Sequence, residues 1–309
     1  MSQSLKRRHL VSILDFSTEE INQVLRTARF LKDQRGVHDP PPLKNKTLAM
    51  IFQKPSLRTR VSFEVGMTQL GGHAIYLAPT DIKLGEREST EDIAQVLSRY
   101  ADVIMARVFG HNIVEDLAKH ATVPVINGLS DFEHPCQILA DLQTILERKG
   151  RLAGLKACYI GDGNNVAHSL MYGAARTGMH MTVITPSGYE PAQAVQTKSR
   201  DVGAITGSKI TVSNDLQAAA EADVLYTDVW ASMGQEAEAA ARKKIFAKYR
   251  IDADTMKIAD RDAVVLHCLP AHYGDEIDYA TSRLPNSAIF DQAENRLHAQ
   301  KALLVHVAG

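Results

Sequence analysis

Long apolar runs are missing from this chain. Nowhere do uninterrupted hydrophobic positions approach the ~20 residues of a bilayer span, so no membrane crossing is expected. Cysteine is scarce: Cys136, Cys158 and Cys268 are odd in number and form no CxxC pair. That argues against a disulfide framework and against a structural zinc site, and it fits a reducing cytoplasm. Net charge is nearly absent, with a formal value of -1, so nothing draws the chain as a whole to nucleic acid or to an anionic membrane. Any anionic ligand must be held by a local cluster. The opening MSQSLKRRHLVSILDF turns polar before a signal-peptide core develops, and neither low-complexity stretches nor short repeats occur.

What is present is ordinary globular material, 309 residues with 45% hydrophobic and 23% charged positions. A single core usually stops growing below that length, so two domains are expected, residues 1–150 and 151–309, with the boundary near 149–153. Ser17 and Glu20 match a capping box, followed by Ile21, Val24, Leu25 and Ala28 at helical spacing. Pro40-Pro41-Pro42 ends that helix, and Thr47–Phe52 reads as a buried strand, followed by a polar loop and a helix from Arg60 to Leu70. The pattern continues with strands at Ala74–Leu77, Val103–Ala106 and Val123–Asn127, a helix at Ser89–Tyr100 and a long helix at Pro135–Arg148. It restarts with strands at Lys156–Gly161, Met181–Thr185, Val224–Thr227 and Ala263–His267, and helices at Val166–Thr177 and Ala237–Tyr249. Strands apolar on both faces that alternate with helices predict an α/β fold of two domains, each a mostly parallel sheet flanked by helices.

In open parallel sheets ligands gather where strands end and helices begin, because free backbone N–H groups and the helix dipole favour anions there. The polar residues of this chain collect at those points. Ser56-Leu57-Arg58-Thr59-Arg60 offers hydroxyls, two guanidiniums and backbone donors at a helix start, a set suited to phosphate. Alone, such a basic stretch is more often a solvated patch; its place between an apolar strand and an apolar helix reverses that reading. Arg107 ends another strand, and His134-Pro135-Cys136-Gln137 opens the long helix. A lone histidine is usually a satisfied core residue, but His134 with Gln137 one turn on forms a pair of donors aimed at one carbonyl oxygen. Three donor clusters without a carboxylate set for a metal point to a phosphorylated carbonyl compound.

The second half carries Gly161-Asp162-Gly163-Asn164-Asn165-Val166 after a strand. Compared with GxGxxG, Val166 replaces the third glycine, and the next strand lacks the acidic residue that holds a ribose, so no nicotinamide cofactor is expected. Asn165 remains available to a small polar ligand. Asp228 to Gly234, again at a strand end, supplies a carboxylate, a hydroxyl and a mobile glycine for an amine and an amino-acid head group, unless Asp228 merely caps the following helix. Cys268, in His267-Cys268-Leu269-Pro270, reads as a buried structural thiol before it reads as a nucleophile. Arg296 adds a cation whose use depends on the last helix returning to the first domain.

The ordered set of these segments resembles the aspartate/ornithine carbamoyltransferase family along the whole chain. The resemblance implies that Ser56, Leu57 through its backbone, Arg58, Thr59, Arg107, His134 and Gln137 bind carbamoyl phosphate, with Thr59, Arg107, His134 and Gln137 polarising its carbonyl. It places Cys268 and Leu269 close to both substrates and Arg296 at the carbamoyl phosphate site. It sets Asn165, Asp228, Ser232 and Met233 around an amino-acid acceptor, with Asp228 and Cys268 orienting the amine. The Ser-Met-Gly loop favours L-ornithine over aspartate; other amines, such as putrescine or N-acetylornithine, or a non-catalytic regulatory relative, are the alternatives. No cofactor or metal is expected from the residues, and the family further implies a homotrimer or an assembly of trimers. Two departures stand out: Leu57 replaces a common threonine, and Lys83 stands where many members have a glutamine that reaches a neighbouring subunit's site.

Overall fold

The computed structural model describes residues 4–34, 38–82, 84, 87–231 and 236–309. The chain packs into two compact units, Met1–Gln143 with Glu294–Gly309, and Thr144–Ala293. In the first unit α1 (Thr18–Asp33) begins with the expected capping box: Ser17 Oγ accepts the Glu20 N–H, and the Glu20 carboxylate accepts the Ser17 N–H. Ile21, Val24, Leu25 and Ala28 are buried along one face.

The strands β1 (Thr47–Phe52), β2 (His73–Leu77), β3 (Val103–Arg107) and β4 (Val125–Leu129) are separated by α2 (Leu57–Gln69), the single turn α3 (Pro79–Ile82) with α4 (Thr90–Tyr100), and α5 (His111–His120). Their order is β2-β1-β3-β4, every pair parallel. β4 begins two residues later than its apolar run. Pro124 has no N–H for the ladder, and only its carbonyl takes part, accepting from Ile104 N at 2.9 Å. α6 (Pro135–Lys149) follows and carries the chain across from Gln143 to Thr144, between the two units.

The second unit holds β5 (Lys156–Ile160), α7 (Asn165–Thr177), β6 (His180–Ile184), α8 (Gln193–Thr206), β7 (Ile210–Ser213), β8 (Val224–Thr227), α9 (Ala239–Phe246), α10 (Ala253–Ile258) and β9 (Val264–His267). The parallel order is β7-β6-β5-β8-β9. Under β8 and β9 a core forms around Trp230, Phe246 and Tyr249, with the Trp230 and Phe246 rings stacked at 5.8 Å. Burying each such ring stabilises by about 1.5–3 kcal/mol. The last helix, α11 (Ile289–Ala308), contributes Glu294 onward to the first unit, where His306 Nε2 meets Thr27 Oγ1 of α1 at 2.9 Å. No helix among the described residues is long and apolar enough to cross a membrane.

Each sheet reverses its winding once. In the first, β1 is followed by β2 on one side, and the chain then crosses to β3 on the other; in the second, the reversal lies between β5 and β8. The loops that leave neighbouring strands at such a point diverge and leave a crevice at the carboxyl ends. Phe52 and Arg107 face each other across the end of β1 and β3.

Candidate functional site

The first unit assembles its cluster from β1, β3, α6 and α11. Ser56, the N-cap of α2, accepts the Thr59 N–H at 3.3 Å, which fixes the start of the helix beyond β1. That turn buries Thr59 and leaves Arg58 half-buried. Leu57 is 73% exposed, so its side chain fills no pocket within the unit. Arg60 departs from expectation. Its Nε bonds Glu64 at 2.9 Å and its guanidinium lies 3.9 Å over the Tyr76 ring, so it belongs to the outer surface of α2.

Arg296 of α11 is the hub. Its Nη1 donates to Gln137 Oε1 at 2.7 Å, its Nη2 to Thr59 Oγ1 at 3.3 Å and its Nε to Gln300 Oε1 at 2.9 Å. A guanidinium suits this because its planar fork presents donors in fixed directions. Gln300 in turn donates to Ser62 Oγ at 2.8 Å, and Gln137 Nε2 donates to Asp141 Oδ1 at 2.8 Å. Asp141, Gln300 and Ser62 were not legible as site residues, since single polar positions inside helices give no spacing signal.

His134, at the start of α6, is buried beside these groups. Burial first, and then the fields of Arg296, Arg107 and Arg58, hold its imidazole well below the ordinary histidine value, so it is neutral at physiological pH. A neutral imidazole surrounded by three guanidiniums can donate a hydrogen bond to a carbonyl oxygen while the arginines take an anion. The expected residues Thr59, Arg107, His134, Gln137 and Arg296 are thus parts of one electrostatic unit.

The second unit builds its cluster at the β5/β8 reversal. Asn164 caps α7, its Oδ1 accepting Val166 N at 3.0 Å and Ala167 N at 3.2 Å, while its Nδ2 donates to Asp228 Oδ2 at 3.1 Å. The first donors of α7, where a dinucleotide's pyrophosphate would sit, are therefore taken by a side chain. Gly163 is fixed by crowding: a Cβ there would lie 2.3 Å from Pro191 N. Asn165 opens α7 and is largely buried. Among the described residues Asp228 caps no helix; its other oxygen accepts from Cys268 Sγ at 3.0 Å. Cys268 is half-buried rather than sealed in the core. Asn164, which ties the cap to Asp228, carries no spacing signal that sets it apart from the rest of that loop.

Leu269 holds a left-handed backbone at φ 56°, a conformation that costs a non-glycine residue of order 1–3 kcal/mol. Its N–H donates to His267 Nδ1 at 2.9 Å, and the opposite nitrogen, Nε2, lies 3.1 Å from buried Glu276. Accepting at Nδ1 places the proton on Nε2, which donates to the carboxylate. Asp228, His267 and Cys268 bring ligand-type atoms within 4.8 Å of one another, yet both nitrogens of His267 are already committed. The group is a hydrogen-bonded support for the Cys268-Leu269 turn and does not fit a metal. Lys83, Ser232 and Met233 lie outside the described residues.

Each unit thus gathers polar groups at its sheet reversal: in the first a buried neutral imidazole in the field of three guanidiniums, in the second a carboxylate beside a thiol. Comparison with known proteins gives the class. Residues 8–147 match the family described as Aspartate/ornithine carbamoyltransferase, carbamoyl-P binding domain, and residues 153–307 match its Asp/Orn binding domain. The chain belongs to the aspartate/ornithine carbamoyltransferase family. Within it, the chain is 54% identical over 311 aligned positions to an ornithine carbamoyltransferase of Thermococcus kodakarensis, covering 100% of this chain and 99% of that protein. It is equally similar, at 54% with the same coverage, to the anabolic ornithine carbamoyltransferase of Pyrococcus furiosus. A solved ornithine carbamoyltransferase structure from Pyrococcus furiosus superposes with a TM-score of 0.96 at 53% identity, over 100% of this chain and 99% of that one.

Proposed function

We propose that this chain transfers the carbamoyl group of carbamoyl phosphate to the side-chain amine of L-ornithine, giving L-citrulline and phosphate. The observation that carries the reading is buried, neutral His134 among Arg58, Arg107 and Arg296. Arg58 and the donors of Ser56, Leu57 and Thr59 hold the phosphate, with Lys83 adding positive charge. Arg107, His134 and Gln137 face the carbonyl oxygen, and Arg296 orders the set. In the second unit Asn165, Ser232 and Met233 take the amino-acid part of ornithine, while Asp228 and Cys268, with Leu269 beside them, receive its amine.

An alkylammonium has a pKa of about 10, so the amine must shed a proton before it attacks. With that first proton released to solvent, the amine nitrogen forms the C–N bond, the C–O bond to phosphate breaks, and a second proton passes from the nitrogen to the departing phosphate. No covalent enzyme intermediate is required. Orientation of the two substrates can be worth ~7 to 11 kcal/mol, and each donor at the developing oxyanion ~10²-fold in rate.

The enzyme acts as a homotrimer or an assembly of trimers in the cytoplasm, in the direction of arginine synthesis. Leu57, Val61 and Val65 recur every fourth residue on the outer face of α2, and Ile75 stands exposed on the neighbouring edge strand β2, an apolar stripe that supports self-association. Its three free thiols suit a reducing compartment. The test is product formation from carbamoyl phosphate with ornithine, putrescine, N-acetylornithine and aspartate in parallel, on wild type and Arg58→Ala. Citrulline from ornithine alone, lost in the variant, is expected; product from another amine moves the specificity, and no product from any leaves a non-catalytic relative.

A further inference from the structure

An amide side chain has two ends of nearly equal shape, and only its hydrogen bonds decide which one points where. Gln137 has to present an N–H, not an oxygen, to a carbonyl if it is to stabilise negative charge there. Its orientation is set by two buried partners of opposite kind. Arg296 Nη1, a pure donor, occupies the Oε1 side at 2.7 Å, and the Asp141 carboxylate occupies the Nε2 side at 2.8 Å. A flipped amide would set donor against donor at Arg296 and oxygen against oxygen at Asp141.

Asp141 follows Gln137 by one turn of α6 and has no solvent exposure. Burying a carboxylate is costly unless it gains hydrogen-bond partners, and the Gln137 amide supplies one at 2.8 Å. We infer that Asp141 is a positioning residue for carbamoyl transfer: it never touches substrate, but it locks the Gln137 amide with nitrogen toward Asp141. One of the two Nε2 hydrogens is consumed there, and the other is aimed at the carbamoyl oxygen. Arg296 completes the lock from α11, and through Gln300 and Ser62 the same chain of bonds returns to α2. The inference rests on the carbamoyl transfer proposed above.

The test is a double-mutant cycle on the full chain with Asp141→Asn, Gln137→Ala and both together. Asparagine keeps the shape but can turn its nitrogen as well as its oxygen toward Gln137 Nε2, so the Asp141 side of the lock is lost while the Arg296 side remains. Expected is a fall in kcat of about 10²-fold for each single variant. The double variant should also fall only about 10²-fold, not the ~10⁴-fold of independent losses. Inorganic phosphate, held by the α2 donors, should bind all three variants with wild-type affinity, which a general collapse of the unit would not permit. Wild-type activity in Asp141→Asn, or losses that multiply in the double variant, would overturn the inference while leaving the transfer reaction standing. An inactive wild type would instead remove the reading on which it rests. Should the asparagine variant not fold, the wild-type Gln137 side-chain amide resonance, identified by its loss in Gln137→Ala, decides: slow exchange with solvent supports the lock and fast exchange refutes it.

Discussion

Asn164 does two jobs with two atoms, and substitution can separate them. Its Oδ1 caps α7 and its Nδ2 donates to Asp228. Asn164→Ala removes both. The cap is worth about 1 kcal/mol and a hydrogen bond to a carboxylate about 1.5–3 kcal/mol, so the second unit should lose roughly 2.5–4 kcal/mol. For a unit of this size that is on the order of 10 °C in Tm. Asn164→Asp keeps the cap, since aspartate caps as well as asparagine, but sets an oxygen where Nδ2 stood, 3.1 Å from Asp228 Oδ2. At an effective dielectric of about 20, two unit charges at that distance repel by roughly 5 kcal/mol. The pair relieves this by moving apart or by holding a proton that the unfolded chain does not bind. The native state then carries more protons than the unfolded state, so stability rises as pH falls. Thermal scans between about pH 8 and 5.5 should therefore show Asn164→Asp regaining Tm relative to wild type on acidification, while the deficit of Asn164→Ala stays constant. In steady-state assays both variants should raise the KM for ornithine and leave that for carbamoyl phosphate, whose proposed donors lie mainly in the first unit, near wild type. Equal pH behaviour of the two variants, or a change confined to carbamoyl phosphate, would refute the assignment of Asn164 as the clamp on Asp228.

The remaining predictions concern other groups. His134→Ala should lower kcat by about 10²-fold without altering the shape of the pH profile between about pH 6 and 8, because the imidazole it removes is already neutral there. As the folded value lies below the unfolded one, the stability linked to His134 is present above about pH 6.5 and lost as pH falls, so the variant should be less sensitive to acidification, as chemical unfolding would read. Burial pushes the Cys136 thiol up to about 12 and raises Cys158 as well, so Ellman's reagent should titrate only Cys268 in the folded protein and nothing in Cys268→Ala. Val61→Glu places a charge in the exposed stripe of α2 and should convert a trimer to monomers by light scattering; a monomeric wild type would refute that assembly.

Much of the fold could be read because both sheets are parallel and strands such as Thr47–Phe52 and Val264–His267 are buried on both faces, which makes them continuous apolar runs. The elements that escaped notice lack that signal. β7 is four residues long at a sheet edge, with one buried position. α8 has no side-chain cap at Ala192 and buries Gln196, Ser199 and Gly203, which hides its apolar period. α5 likewise starts at Gly110 without a side-chain cap. In the site, residues that leave strand ends were legible because position alone marks them. Arg60 misled because a basic side chain beside a phosphate loop looks the same in sequence whether it turns inward to Thr59 or outward to Tyr76.

The polar network of the first unit explains why those short clusters identify the chemistry better than the hydrophobic pattern does. Thr59, Ser62, Gln137, Asp141, Arg296 and Gln300 are all nearly or fully buried, and each bonds another member or the α2 backbone. In a low-dielectric interior a half-satisfied set of this kind is worse than an apolar one, because each orphaned group retains its desolvation cost without a partner. An apolar core tolerates exchange of one aliphatic residue for another at modest cost, so it constrains the fold without naming a ligand. The network admits no such exchange. Replacing Gln137 by leucine, for example, would take one hydrogen-bond partner from Arg296 and one from Asp141, so the network ties three separate helices to a single arrangement of donors and acceptors.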